Sequence, residues 1–293
     1  MSTAAAGAQT LRGALLICSA MTLFTLNDVM LKFAGAGMPI GQLMVLRGIV
    51  GGLMLLGIGW WSREPWHWRG ILHPFVLIRA FCDAAASLLF VHALMVMPIA
   101  TVTALIQSVP VLATLAGVLV FRDLLPVRQW VALAICMIGV LAITNIAAVS
   151  ADASLLSAGG AAAMMVLRDL VTRGTAHTIP STWIALVSTL ALPLISIPDL
   201  LGSGWVAIGG GDWLLIAGTG ICVCIGNLLL ISAMRMASLG TIAPFRYSAV
   251  VISIAFGYLF WREVPAANEV LGSALIVLGG LISGNLLRPA KRA

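Results

Sequence analysis

The sequence predicts an all-α integral membrane protein, with ten transmembrane helices arranged as two inverted five-helix repeats. Three observations predict it. Of 293 residues, 61% are hydrophobic and 9% are charged, whereas an average soluble chain carries about 25% charged residues. Mean hydropathy is +1.10, and apolar runs of roughly 20 residues recur, each long enough to cross a hydrocarbon layer of about 30 Å. Finally, the chain matches itself at a shift of 140 residues.

The apolar runs, read between polar or Gly/Pro breaks, lie at about 12–34, 39–62, 72–95, 99–121, 127–148, 154–174, 180–201, 212–236, 239–261 and 265–287. The first could be mistaken for the core of a secretory signal over Gly13–Leu26. Its flank carries a single Arg12 and no soluble domain follows a plausible cleavage point, so it reads as a span. Connections are short, and the glycine-rich loop Gly202–Asp212 matches no phosphate cradle. The five cysteines (Cys18, Cys82, Cys136, Cys222, Cys224) all lie inside apolar runs. Cys222 and Cys224 diverge on a helix, so all five read as small buried hydrophobes rather than metal or redox groups.

Charge sets the expected orientation. Arg12, Arg63, Arg69, Arg122, Arg128, Arg173, Arg235, Arg288, Lys291 and Arg292 gather on one side of the ten-span arrangement. Asp152, Asp199 and Asp212 lie on the other, with Arg262 the main exception beside Glu263. Arginine and lysine accumulate in cytoplasmic loops, which puts both termini in the cytoplasm. The arginines are scattered over short loops, so a pI near 9.6 does not read as a nucleic-acid face.

The repeat is carried by scarce residue types. Ala93–Asp123 lies over Ala233–Glu263 without a gap, bringing Thr101 onto Thr241, Ser108 onto Ser248, Gly117 onto Gly257 and Arg122–Asp123 onto Arg262–Glu263. Ser87 meets Asn227, Gly139 meets Gly279 and Asn145 meets Asn285; at a shift of 141, Asp28 meets Asp169 and Pro39 meets Pro180. Five spans per copy is odd, so the second copy enters the membrane upside down. The repeats are expected over 12–148 and 154–287, and inverted halves of this kind recur in secondary transporters.

With this pattern, the helix endings around Phe121–Asp123 and the stretches "APFRY" and "FWREVP" make the chain resemble the EamA-type permeases of the drug/metabolite transporter superfamily. "NDVMLK" (Asn27–Lys32) together with "APFRY" (Ala243–Tyr247) is most similar to bacterial S-adenosylmethionine carriers, then to riboflavin carriers. The resemblance implies a multi-pass protein of the bacterial cytoplasmic membrane. It also implies a small-molecule substrate with a coupling ion (H⁺ or Na⁺) or exchange solute, and a monomeric or homodimeric state. Gly280 and Gly284 form a GxxxG pair suited either to a dimer face or to internal packing. No cofactor or metal is expected.

Seven ionisable residues fall well within the spans: Asp28, Arg47, Arg79, Asp83, Arg168, Asp169 and Arg246. At about 2.5–3.5 kcal/mol each, facing lipid would cost on the order of 20 kcal/mol. That exceeds the ~5–15 kcal/mol by which a domain is stable. These groups must face the interior, pair, or line water. Spacing suggests pairs within helices: Arg79 with Asp83, Asp28 with Lys32, and Asp169 with Arg173. Such pairs either neutralise charge locally or act as gates, and the candidate gating set is Lys32, Arg47, Arg79, Arg168, Asp169 and Arg173. By depth, Asp28 and Arg47 belong nearer the outer face, Asp169 and Arg246 nearer the inner.

Pro244, like Pro110 in the matching helix, is expected to open a helical turn and expose carbonyls beside Arg246 and Tyr247. Arg246 then either binds solute or locks its helix to the sixth through Asp169. The candidate binding set is Asn27, Asp28, Asp83, Gln107, Asn227, Arg246 and Tyr247. His92, near an external end, is a candidate for proton coupling.

Enzyme classes find no HExxH, GxSxG or paired-carboxylate motif, and a channel finds no ring of like charge. The only lysines, Lys32 and Lys291, stand in no phosphate-binding motif, so ATP does not drive the reaction. The expectation is a secondary transporter for a zwitterionic, mixed-charge or flavin-like metabolite.

Overall fold

The computed structural model describes residues 3–61, 71–121, 127–144, 153–173, 181–236 and 243–283. Among the described residues the chain is helical, without strands. In order come α1 (Thr3–Gly37), α2 (Ile40–Trp61), α3 (Pro74–Val96), α4 (Ile99–Ile106), α5 (Val109–Phe121) and α6 (Val127–Thr144). There follow α7 (Ala153–Arg173), α8 (Ser181–Ser203), α9 (Gly210–Met236), a 3₁₀ turn at Ala243–Tyr247, α10 (Ser248–Trp261) and α11 (Ala267–Ser283). Leu11–Gly37, Ile40–Trp61, Pro74–Val96, Ala153–Val171 and Thr182–Ser203 are long and apolar enough to cross a membrane.

Two expected continuous helices are interrupted. The run 99–121 is divided by a turn at Gln107 and Ser108. Pro110 has no N–H to offer the carbonyl of Ile106, four residues back, so α4 stops there. The run 239–261 reaches α10 through the 3₁₀ turn that contains Pro244; residues 239–242 lie outside the described residues. At the 140-residue shift, Gln107 falls on Tyr247 and Ser108 on Ser248. The two interruptions therefore occupy equivalent positions in the internal repeat.

The chain forms two compact units. One, the charged unit, comprises Asn27–Met97 and Asp152–Ile221; the other, the broken-helix unit, comprises Met1–Leu26, Pro98–Ala151 and Cys222–Ala293.

In the charged unit α2 packs against α8, and α3 against both α7 and α8. Glycines set the α2–α8 approach. A Cβ at Gly41 would strike the backbone of Asp199 and Leu200, and one at Gly48 the ring of Pro193. One at Gly52 would lie 2.7 Å from Leu190 Cδ2, and one at Gly59 2.9 Å from Trp183 Cη2. Lipid offers little hydrophobic drive for helices to associate, so close backbone contact supplies it. The other face of α2 turns Ile49, Leu53 and Leu56 outward, as a lipid-facing surface does.

The same unit carries its own ruler. Gln42 Nε2 donates to the Val206 carbonyl and the Val206 N–H donates to Gln42 Oε1, both at 2.8 Å. This pins the loop bearing exposed Trp205 to the start of α2. At the far end Trp60 and Trp61 are 88% and 90% exposed. The 18 residues from Gln42 to Trp60 rise about 27 Å. That is close to the hydrocarbon thickness, with tryptophans at both interfaces.

In the broken-helix unit, α6 and α11 approach through a reciprocal contact. A Cβ on Gly139 would lie 2.7 Å from the Gly272 carbonyl and 3.0 Å from Ile276 N. One on Gly279 would lie 2.8 Å from the Ala132 carbonyl and 3.1 Å from Cys136 N. Each residue of the first set is 140 positions from its counterpart in the second. Gly280 lies flat against the Tyr247 ring, so this half of the GxxxG pair serves internal packing; Gly284 is outside the described residues.

Gly48→Leu should lower the unfolding midpoint of the detergent-solubilised protein, consistent with an overpacking cost of about 1–3 kcal/mol. Gly57→Leu, where a side chain meets nothing within 4 Å, should leave the midpoint unchanged or raised in the same thermal scan.

Candidate functional site

Six of the seven intramembrane charges lie in the charged unit: Asp28 on α1, Arg47 on α2, Arg79 and Asp83 on α3, and Arg168 and Asp169 on α7. Three acids and three arginines give a net charge of zero. Arg168 is the clasp. Its Nη1 reaches Asp83 Oδ1 at 2.8 Å, while Nε and Nη2 both reach Asp169 Oδ1 at 3.0 Å. Arg79 donates to Ser188 Oγ on α8 at 3.0 Å and lies within electrostatic range of Asp83 and Asp169. Arg47 feels the charges of Asp28 and Asp83. Asp28 accepts a hydrogen bond from Asn27 Nδ2 at 2.9 Å.

Followed from α1 to α7, the residues Asp28, Arg47, Asp83, Arg168 and Asp169 alternate in sign. The Arg168, Asp83 and Asp169 side chains keep 27%, 31% and 41% of their surface accessible. These three side chains are therefore not sealed within the unit.

The pairing differs from the within-helix pattern that spacing suggests. Asp83 takes its close partner from α7, and Asp28 takes its neighbouring cation from α2. Lys32 instead sends its Nζ to the Met97 carbonyl at the end of α3, 3.1 Å away, where a cation complements the negative end of the helix dipole. Helical spacing registers neighbours on one helix only. A helix packed alongside can bring a guanidinium closer than the fourth residue along. Arg173 closes α7; its side chain lies outside the described residues.

The remaining candidates, Gln107, Asn227, Arg246 and Tyr247, belong to the broken-helix unit. Gln107 Nε2 donates to the Arg246 carbonyl at 2.9 Å, linking the two interruptions by a side-chain-to-backbone bond. Tyr247 is buried to 9% exposure against Gly280, while Arg246 and Asn227 are exposed.

Four polar partnerships were not foreseen. Ser188 anchors Arg79. Glu263 Oε2 accepts from the Ile99 N–H at 3.1 Å, capping α4. Arg262 orients it by closing α10 in the left-handed conformation, φ 57°. Glu269 accepts the Thr101 hydroxyl at 2.6 Å and the Ala266 N–H at 2.8 Å; a glutamate three residues past a helix start was the readable signal. His92 Nε2 lies 3.4 Å from Asp199 Oδ2 on α8, a long-range contact that leaves no local trace in sequence.

Helices that turn apolar side chains outward and gather balanced charge inward define a multi-pass membrane protein with a polar interior. Residues 11–145 and 153–284 match the EamA-like transporter family. The chain belongs to that family, and it is a membrane transporter. It is 26% identical over 276 residues to the pseudopaline exporter CntI of Pseudomonas aeruginosa, covering 91% of this chain and 93% of that one. It is 28% identical to a riboflavin transporter of Vibrio cholerae over 208 residues, covering 69% and 68%. With an S-adenosylmethionine uptake transporter of Rickettsia felis it shares 21% over 257 residues, covering 86% and 85%. A protein of known crystal structure has the same fold, with a TM-score of 0.66 at 19% identity over 94% of this chain and 98% of its own.

Arg168→Met strips the close partner from two carboxylates and should destabilise the protein, by less than the ~3–5 kcal/mol of a fully buried pair because these side chains keep part of their surface accessible. Asp83→Asn retains a hydrogen-bonding side chain and should cost less. Unfolding of both variants in one detergent ranks them; equal losses would contradict the clasp.

Proposed function

We propose that this chain is a secondary transporter that moves a small zwitterionic or mixed-charge metabolite across the bacterial cytoplasmic membrane by alternating access. The observation that carries the reading is the alternating track of Asp28, Arg47, Asp83, Arg168 and Asp169, whose charge Arg79 beside it brings to zero. A solute bearing both signs of charge can exchange its own groups for links in such a track without leaving an ion unmatched. Asn27, Asp28 and Asp83 are the proposed solute contacts in the charged unit. Lys32, Arg47, Arg79, Arg168, Asp169 and Arg173 are the links that open and re-form.

The second copy of the repeat is proposed to run upside down relative to the first, over 12–148 and 154–287, giving ten spans and cytoplasmic termini. The reciprocal Gly139 and Gly279 contacts support this, because a two-fold axis exchanges each contact with its 140-shifted twin. The equivalent positions of the two helix interruptions support it as well. Gln107 of the first copy and Asn227, Arg246 and Tyr247 of the second are the proposed solute contacts in the broken-helix unit. With no phosphate-binding motif, the driving force is an H⁺ or Na⁺ gradient, solute exchange, or the solute's own gradient. Relatives named for export and for uptake suit a fold whose direction is set by those gradients.

The likeness to a riboflavin transporter favours a second reading, in which an uncharged aromatic solute uses the same path. In sealed vesicles holding the purified protein, unlabelled S-adenosylmethionine inside should accelerate entry of labelled S-adenosylmethionine, as a carrier requires. Acceleration by riboflavin alone would select the second reading. Equal entry with and without internal solute would indicate a pore and remove the carrier reading.

A further inference from the structure

The track holds one closed link and one open link built from the same chemistry. Arg168 and Asp83 meet at 2.8 Å. Arg47, in electrostatic range of Asp28 and Asp83, makes a salt bridge with neither among the described residues. On α1, next to Asp28, Asn27 is 4% exposed, and its Oδ1 is buried without a hydrogen-bond partner among the described residues. Its Nδ2 is committed to the Asp28 carboxylate, which fixes the amide orientation and leaves Oδ1 as the orphan acceptor.

Buried acceptors in folded proteins nearly always find a donor. A guanidinium has five N–H groups to place, and an ionised carboxylate only accepts. The corner of α1 and α2 therefore presents surplus acceptors on Asn27 and Asp28 next to surplus donors on Arg47. The group complementary to both is an α-amino acid head, whose ammonium donates three hydrogen bonds and whose carboxylate can receive a two-pronged arginine.

We propose that Asn27, Asp28 and Arg47 form the head-group subsite of the carrier: Asn27 Oδ1 and Asp28 accept from the solute's ammonium, and Arg47 donates to its carboxylate. This rests on the transport reading and narrows it to solutes with a free α-amino and α-carboxyl group. The remainder of the solute is not held here. Relatives that carry chemically different bodies could share this corner only where those bodies bear such a head.

The test uses the full-length protein in lipid nanodiscs, with tryptophan fluorescence as the binding signal. Its probes are S-adenosylmethionine, its carboxyl methyl ester, its deaminated analogue and riboflavin. Wild type should bind the intact zwitterion more tightly than the ester or the deaminated form, by on the order of 10- to 100-fold each, as expected for a lost charge-assisted contact. Arg47→Gln should weaken the intact zwitterion by a similar factor while leaving the ester unchanged; Asp28→Asn should do the converse, sparing the deaminated analogue. Wild-type preference alone decides if a variant fails to insert. Failure of the wild type to bind the zwitterion, equal binding of zwitterion and ester, or equal weakening of both by Arg47→Gln overturns the subsite. Riboflavin countertransport without zwitterion binding overturns the subsite and leaves the carrier standing. Zwitterion binding without countertransport of any probe retains the subsite and removes the carrier reading.

Discussion

A charge in hydrocarbon must be matched, and this requirement organises the charged unit. Six ionisable side chains on four helices comprise three acids and three arginines, and five of them, Arg79 aside, alternate in sign from α1 to α7. Ion pairs are a poor way to hold helices together, because apolar side chains of similar size generally serve as well. Nor does α2 need them: Gly41 and Gly48 already bring it against the backbone of α8, and Gly52 and Gly59 against the α8 side chains of Leu190 and Trp183. The charged unit thus secures α2 by close packing and holds partly accessible charge besides.

The two units meet the demand for polar satisfaction in different ways. In the charged unit, side chains satisfy side chains, with Arg168 closing on two carboxylates while Arg47 stands open. In the broken-helix unit, side chains satisfy backbone. Gln107 meets the Arg246 carbonyl, Glu263 caps Ile99, and Glu269 caps Ala266 while holding Thr101. Interrupted helices are tolerated at membrane depth only when such partners exist.

Much of this was legible because lipid imposes simple rules. The run expected at 39–62 is α2, Ile40–Trp61, and that at 180–201 is α8, Ser181–Ser203; hydropathy and length are enough to place such helices. Pro110 and Pro244 marked interruptions because proline removes a donor wherever it sits. The pairing of charge was less legible. Four-residue spacing joined Arg79 to Asp83 and Asp28 to Lys32, since it registers only one helix. The guanidinium that reaches Asp83 comes from residue 168, through packing that no local pattern encodes. The contacts of Ser188, Gln42 and Asp199 went unread for the same reason: each acts through a partner more than 100 residues away.

The central claim is that these charges line a path for water and solute rather than face lipid tails. Single cysteines at 28, 47, 83, 168 and 169, in a background lacking the five native cysteines, test it through reaction with a membrane-impermeant thiol reagent in oriented vesicles. The track predicts labelling from the aqueous phase at each position, slowed by a transported solute. No aqueous labelling, with reaction only toward a lipid-soluble reagent, would contradict it.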